Sequence, residues 1–112
     1  MNKDVIAVNQ DSLGIQALKY MTRDSVEVWI KPLKGGDWAV CFLNRSRTAR
    51  TVDFDWQKEI IHDSVANRTL QASATNYSLQ NLWTKKAEGD TRKPFKAVLP
   101  AHDVALFRLH KQ

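Results

Sequence analysis

Residues 26–44, VEVWIKPLKGGDWAVCFLN, constrain the fold more than any other stretch, because two strand-like runs flank a pair of glycines. In the first run Val26, Val28 and Ile30 alternate with Glu27, Trp29 and Lys31, the period of two that sends successive side chains to opposite faces of a strand. Lys34-Gly35-Gly36-Asp37 supplies the reversal, since glycine takes positive φ without a steric penalty. The return run, 38–43, is apolar at every position, as a strand covered on both faces should be. A β-hairpin is predicted here. An isolated two-stranded ribbon leaves its faces wet, so the rest of the chain must supply strands that cover it.

With 112 residues, 43% of them hydrophobic, the chain suits a single domain that buries a core without metal or disulfide staples. Cys41 is the only cysteine, and its apolar surroundings predict a buried, inert thiol rather than a reactive one. No apolar run approaches the ~20 residues of a membrane helix, and no basic start leads into an apolar signal core. A soluble chain without a membrane partner is expected. The formal net charge of +5 invites a nucleic-acid partner, but Lys and Arg are spread from Lys3 to Lys111. They gather only loosely, at Arg45, Arg47 and Arg50 and at Lys85, Lys86, Arg92, Lys93 and Lys96, with only Trp83 beside the second group. A phosphate-tracking groove needs its charges on one face with stacking aromatics among them, so no nucleic-acid partner is expected.

Taken in order, Asn2 is placed to cap a short helix over 3–8, with Asp4 in the first turn where the helix dipole favours it. Val5, Ile6 and Ala7 give that helix an apolar face with nothing of its own to cover, and the polar segment 9–14 ends at Gly14. Such a piece is more like the last element of a preceding domain than the first of this one. Residues 15–21 read as extended and 22–25 as a turn. After the hairpin, 44–47 turns again. In 49–56, Arg50, Val52, Phe54 and Trp56 alternate with Thr51, Asp53 and Asp55, which predicts a third strand of the central group. Residues 57–64 read as a turn of helix or a loop, 68–75 as weakly alternating, 77–83 as a short strand and 84–93 as a mobile loop. A strand over 95–99 is cut by Pro100, and 103–109 closes the sheet. About seven or eight short strands with turn signals roughly every 8 to 12 residues argue for an all-β fold, an antiparallel β-sandwich of Greek-key type behind a short N-terminal helical remnant.

Candidate chemistry is sparse. Asp53 and Asp55 share a strand face ~6 to 7 Å apart, within the roughly 5 to 9.5 Å that glycosidase carboxyl pairs span. No pocket forms around them in the sequence, and a solvated strand face accounts for them better. His62, His102 and His110 lack metal-ligand spacing, and one cysteine cannot complete a zinc set. No serine sits in a nucleophile elbow and no glycine-rich phosphate loop occurs. No catalytic residue, metal or cofactor is therefore expected. Trp29, Trp38 and Trp83 are the candidate contacts to a sugar ring or a neighbouring domain; the fourth tryptophan, Trp56, is grouped with them by residue type. Tryptophans in a small sandwich are mostly core or interface residues. Asn44-Arg45-Ser46, Asn67-Arg68-Thr69 and Asn76-Tyr77-Ser78 fit the N-glycosylation pattern.

These motifs together resemble one family. The segment 2–14, NKDVIAVNQDSLG, is similar to the stretch that ends the catalytic barrel in α-galactosidases of glycoside hydrolase family 27. Val26-Glu27-Val28-Trp29 with Lys31-Pro32-Leu33, Gly36-Asp37-Trp38-Ala39-Val40, Leu43-Asn44-Arg45-Ser46, Asn81-Leu82-Trp83 and Pro100-Ala101-His102 with 106–109 resemble that family's C-terminal β-sandwich. Ser12 departs from the family's usual proline, and 62–77 matches poorly. The resemblance implies a parent enzyme whose (β/α)8 barrel removes terminal α-galactosyl residues with retention, its two aspartates lying upstream of anything matched here. It implies residues 1–21 as the end of that barrel and a linker, and 22–112 as the sandwich. This chain alone is expected to be inactive, its partner being the barrel of the same polypeptide, docked through Val5, Ile6 and Leu13, with galactoside met only by the parent. The alternative is a carbohydrate-binding module using surface tryptophans. The resemblance also implies a secreted, periplasmic or lysosomal setting, which the residues themselves do not decide.

Overall fold

The computed structural model describes residues 18–63, 67–82 and 84–112. The helix expected over 3–8, Val5, Ile6, Leu13 and Trp83 lie outside the described residues. The central hairpin forms as its alternation requires. Strand β2 (Val26–Pro32) pairs antiparallel with β3 (Trp38–Asn44), Val28 facing Phe42 and Ile30 facing Val40. Gly35 (φ 73°) and Gly36 (φ 85°) carry the reversal inside a 3-10 turn, Lys34–Gly36, closed by the Leu33 N–H donating to the Asp37 carbonyl at 2.8 Å. A Cβ at Gly36 would also stand 3.2 Å from Cδ of Lys111.

Around this hairpin the described residues add β1 (Leu18–Arg23), β4 (Arg50–Phe54), β5 (Ile60–Asp63), β6 (Arg68–Gln71), β7 (Tyr77–Asn81), β8 (Ala87–Asp90), β9 (Phe95–Leu99) and β10 (Val104–Lys111). One layer is a six-stranded sheet in the order β1-β2-β3-β10-β7-β8; facing it are two two-stranded ribbons, β4–β9 and β5–β6. Every pairing is antiparallel. Strand β1 has a bulge between Lys19 and Met21, and it crosses the point where linker was expected to give way to sandwich. Val52 and Phe54 of β4, Leu99 of β9, Ile61 of β5 and Leu70 of β6 join the inner side chains of the large sheet in one buried cluster.

At the centre of that cluster is Phe42. Its ring lies 5.3 Å from Phe54, 5.9 Å from Trp56, 4.9 Å from Phe95 and 6.2 Å from Phe107, three of the four contacts being edge-to-face. Such aromatic pairs add about 0.5–1.5 kcal/mol each beyond the area they bury. The opposite face of β3 is covered as well: Ala39 packs with Leu33, Leu82 and the half-buried Leu106 in a second small cluster. Both faces of the return strand therefore carry apolar side chains in contact.

The antiparallel sandwich is as expected, but its partition differs in three places. Strand β4 leaves the central group and pairs with β9 in the facing layer, because alternation reports that one face is buried and not which sheet the strand joins. Residues 57–64, expected as a turn of helix or a loop, contain a 3-10 turn, Trp56–Lys58, and then β5, which pairs with β6. The loop expected over 84–93 contains β8, an edge strand on β7. Its residues are mostly exposed, so it shows no apolar period.

Asn44 locks the end of β3. Fully buried, its Nδ2 reaches the carbonyl oxygens of Thr48, Leu99 and Pro100 at 3.0, 2.9 and 3.1 Å, and its Oδ1 accepts from the Ser46 N–H at 2.8 Å. This Asn44 amide is incompatible with a glycan in the folded domain, whereas Asn67 is exposed and Asn76 half-buried. Asn44→Ala would leave buried carbonyls unpaired and lower stability by about 2–3 kcal/mol, seen as a lower urea midpoint with an unchanged slope.

Candidate functional site

The candidate tryptophans separate by face. Trp29 projects from β2 on the side of the large sheet turned away from the ribbons, half-buried, its Nε1 donating to Glu27 Oε1 at 2.9 Å. Its register partner is Cys41, which is also paired with Leu106; Leu43 in turn faces Val104. Trp29, Cys41, Leu43, Val104 and Leu106 are all half-buried, a row across three adjacent strands. Trp38 corrects the expectation of a surface contact: at 1% exposure it is a core residue with no face for a sugar or a partner domain. Its position opposite Pro32 at the turn end of the hairpin puts it on the inner face, and the Arg68 guanidinium lies over its ring, 4.9 Å from the centroid. Trp56 is 2% exposed and stacked edge-on against Phe54 at 4.9 Å.

The two carboxylates do not share a strand face, because β4 ends at Phe54. Asp53 is exposed on β4, and Asp55 caps the following 3-10 turn by accepting the Gln57 N–H at 3.0 Å. Among the described residues no group of three or more His, Cys, Asp or Glu is placed to hold a metal. No described helix is long and apolar enough to cross a membrane. The Cys41 thiol is pushed up to about 11, first by burial and then by the Glu27 carboxylate. A thiol so poorly ionised at neutral pH is a weak nucleophile.

A polar cluster that local pattern did not reveal sits at the turn end of the hairpin. Asp37, 5% exposed, accepts at Oδ2 from Arg108 Nε at 3.1 Å, stands 3.0 Å from His110 Nδ1, and accepts at Oδ1 from the Lys111 N–H at 3.2 Å. Arg68 donates to the carbonyls of Leu33 and Asp37, the latter at 2.8 Å. Burial alone would raise the Asp37 carboxyl, but hydrogen bonds from His110, the Lys111 backbone and Arg108 outweigh it and hold the carboxyl below its ordinary value. Arg108 and His110 alternate on β10, which was the available signal. Their carboxylate partner lies more than 70 positions away. The cluster binds the hairpin turn to the last strand. It has no nucleophile and no second acid.

With this geometry in hand, the family model for the α-galactosidase C-terminal β-sandwich domain matches residues 23–109. The chain belongs to that family. The chain is 36% identical over 108 residues to α-galactosidase A of Cellvibrio japonicus, covering 96% of this chain and 26% of that protein. Against the α-galactosidase of Cyamopsis tetragonoloba it is 46% identical over 108 residues, 96% of this chain and 24% of the relative. Among solved structures, α-galactosidase I of Mortierella vinacea superposes with a TM-score of 0.76 at 24% identity, covering 97% of this chain and 26% of that one. The Saccharomyces cerevisiae α-galactosidase with raffinose gives 0.75 at 18%, covering 97% and 35%; both likenesses concern the fold. The chain thus spans about a quarter of the curated relatives' length.

Because the folded Asp37 carboxyl holds its proton less tightly than an unfolded one, its bonds add stability above the ordinary aspartate pKa, and this is lost as pH falls through the lower folded value. Asp37→Asn is therefore expected to cost about 1–3 kcal/mol at pH 7. Its deficit should shrink below about pH 4, measured by urea denaturation across a pH series.

Proposed function

We propose that this domain is the non-catalytic C-terminal part of an α-galactosidase that hydrolyses terminal α-galactosyl residues with retention, and that it stabilises the catalytic barrel by packing against it. The observation that carries this reading is the match of the family's C-terminal domain over 23–109 in a chain spanning about a quarter of its relatives. The segment before β1 closes the barrel and leads into the sandwich, with Val5, Ile6 and Leu13 meeting the barrel, while residues 18–21, expected with that segment, belong to the sandwich through β1. The row of Trp29, Cys41 and Leu106 supports a second contact on the same partner: it is apolar, half-buried and on the side away from the ribbons. Completing the burial of such side chains yields about 25 cal/mol per Å², so a contact of modest area steadies both domains. The galactoside is met by the barrel, and this chain turns over none itself.

In the parent enzyme, Trp29→Ser is expected to lower the apparent Tm by several degrees, corresponding to about 1–2 kcal/mol of lost apolar burial, while KM for an α-galactoside chromogenic substrate stays unchanged. The same substitution in the isolated chain should alter Tm far less. Equal losses in both would place Trp29 in the domain's own stability and overturn the docking role.

A further inference from the structure

On the β8 side of the sandwich the two layers stand apart along an open cleft of ≈450 Å³. Small side chains make the room. Ala105 is the partner of Phe42 in the β3–β10 ladder, and Ala97 is the partner of Val52 in the β4–β9 ladder. Each therefore shares the inward face with a larger neighbour and fills little of the space. Both line the cleft and both are half-buried. Leu79, Leu99 and Phe107, each no more than 5% exposed, close its floor from behind. The apolar surface left open to a ligand is that of the half-buried Phe95, Ala97 and Ala105, with the exposed Pro94 at the edge.

The mouth is polar and carries both signs of charge. Asn81, the partner of Phe107 on β7, shares its inward face, and its Oδ1 accepts from the Thr84 N–H at 3.1 Å. Asp90, at the end of β8, accepts from the Arg92 guanidinium at 3.0 and 2.6 Å and from the Arg92 N–H at 2.9 Å. Those bonds, the guanidinium's first, hold its carboxyl below the ordinary value, so it is an ionised acceptor at neutral pH. Glu88, Lys93 and Lys96 are exposed around the same opening. Donors and acceptors thus ring an apolar patch, two of them already fixed in place by their own neighbours.

This chemistry selects the occupant. The carboxylates of Glu88 and Asp90 oppose an anion and the ammonium groups of Lys93 and Lys96 oppose a cation, which leaves a neutral ligand. A wholly apolar ligand would strip water from the polar mouth and leave those groups without partners. A pyranose suits both parts: its C–H face covers a partly exposed aromatic ring and small apolar side chains, and its hydroxyls exchange bonds with the mouth. The room is that of an ordinary small-molecule site, roughly 300–1,000 Å³. We infer that the cleft is an auxiliary site for one neutral pyranose of a galactoside, bound on Phe95, Ala97 and Ala105 with its hydroxyls on Asn81, Glu88 and Asp90. The galactose identity rests on the reading of the parent as an α-galactosidase. The site goes beyond that reading, because it opens on the inner face of the large sheet, whereas the Trp29 row lies on the outer one. A sugar held here keeps the rest of its chain near the enzyme, as a second binding module does.

The test is an NMR titration of the full 112-residue chain with methyl α-galactoside, with cyclohexanol in parallel. The galactoside is expected to give saturable shifts at the methyls of Leu79, Ala97, Leu99 and Ala105 and at the side-chain amide of Asn81, with a dissociation constant on the order of 1 mM. Cyclohexanol, a six-membered ring with a single hydroxyl, should give none. Ala97→Leu fills the cleft from the ribbon and should weaken binding by about tenfold or more; Ala105→Leu does the same from the sheet if the first variant folds poorly. No saturable shifts in the native chain, shifts centred on the Trp29 indole, equal binding of cyclohexanol, or undiminished binding by the filled variants would each overturn the inference. Turnover of a chromogenic α-galactoside by the parent reports separately on its activity. Turnover without shifts in this chain overturns the cleft alone, and shifts without turnover overturn the galactosidase reading alone.

Discussion

No strand pairing joins the six-stranded sheet to either ribbon among the described strands, so the sandwich is held across its layers by side chains, and Phe42 is where they converge. Its ring touches Phe54 and Phe95 of the β4–β9 ribbon, Trp56 of the following turn and Phe107 of its own sheet. The ribbons have two strands each, a size that is marginal in water when left alone. They are therefore stable only as long as they rest on the sheet. Phe95 and Phe107 contact each other at 4.9 Å as well, which makes the cluster a closed set rather than a star of independent contacts.

Two buried polar groups frame β3 and fix its register against this apolar centre. Asp37 stands just before the strand and Asn44 ends it; they are 5% and 0% exposed. Asp37 collects β10 through Arg108, His110 and Lys111, and Asn44 collects the end of β9 and the 46–48 turn. A slip of β3 by one residue would turn Phe42 outward and strip both groups of their partners. The consequence is rigidity: the strand between Trp29 and Leu106, the side chains proposed above to meet a neighbouring domain, is held in place.

Much of this was legible in the residues. The alternation of Val26, Val28 and Ile30 and the apolar run after Gly36 gave the hairpin, and the short, turn-separated strands gave the sandwich, because both patterns record local burial. What failed to show was information that no local window holds. Strand β4 alternates equally well in either layer, and β8 is an exposed edge whose pairing rests on backbone bonds to β7. Trp29 and Trp38 look alike as residues, yet lie on opposite faces of one hairpin, with the odd and even positions of β2 and β3 deciding which is core. The Asp37 cluster needed the return of β10 to the hairpin turn. The family resemblance carried the functional inference further than any single residue could, since the domain holds no catalytic constellation of its own among the described residues.

The claim that the layers form one cooperative unit through the Phe42 cluster is tested most directly by native-state hydrogen exchange. The amides of β4 and β9 that pair with each other and those of β3 and β10 should open with the same free energy and the same denaturant dependence, as parts of one global unfolding event. Opening of the β4–β9 ribbon at a distinctly lower free energy, while β3 and β10 stay protected, would show that the two layers are stable independently and would contradict the account.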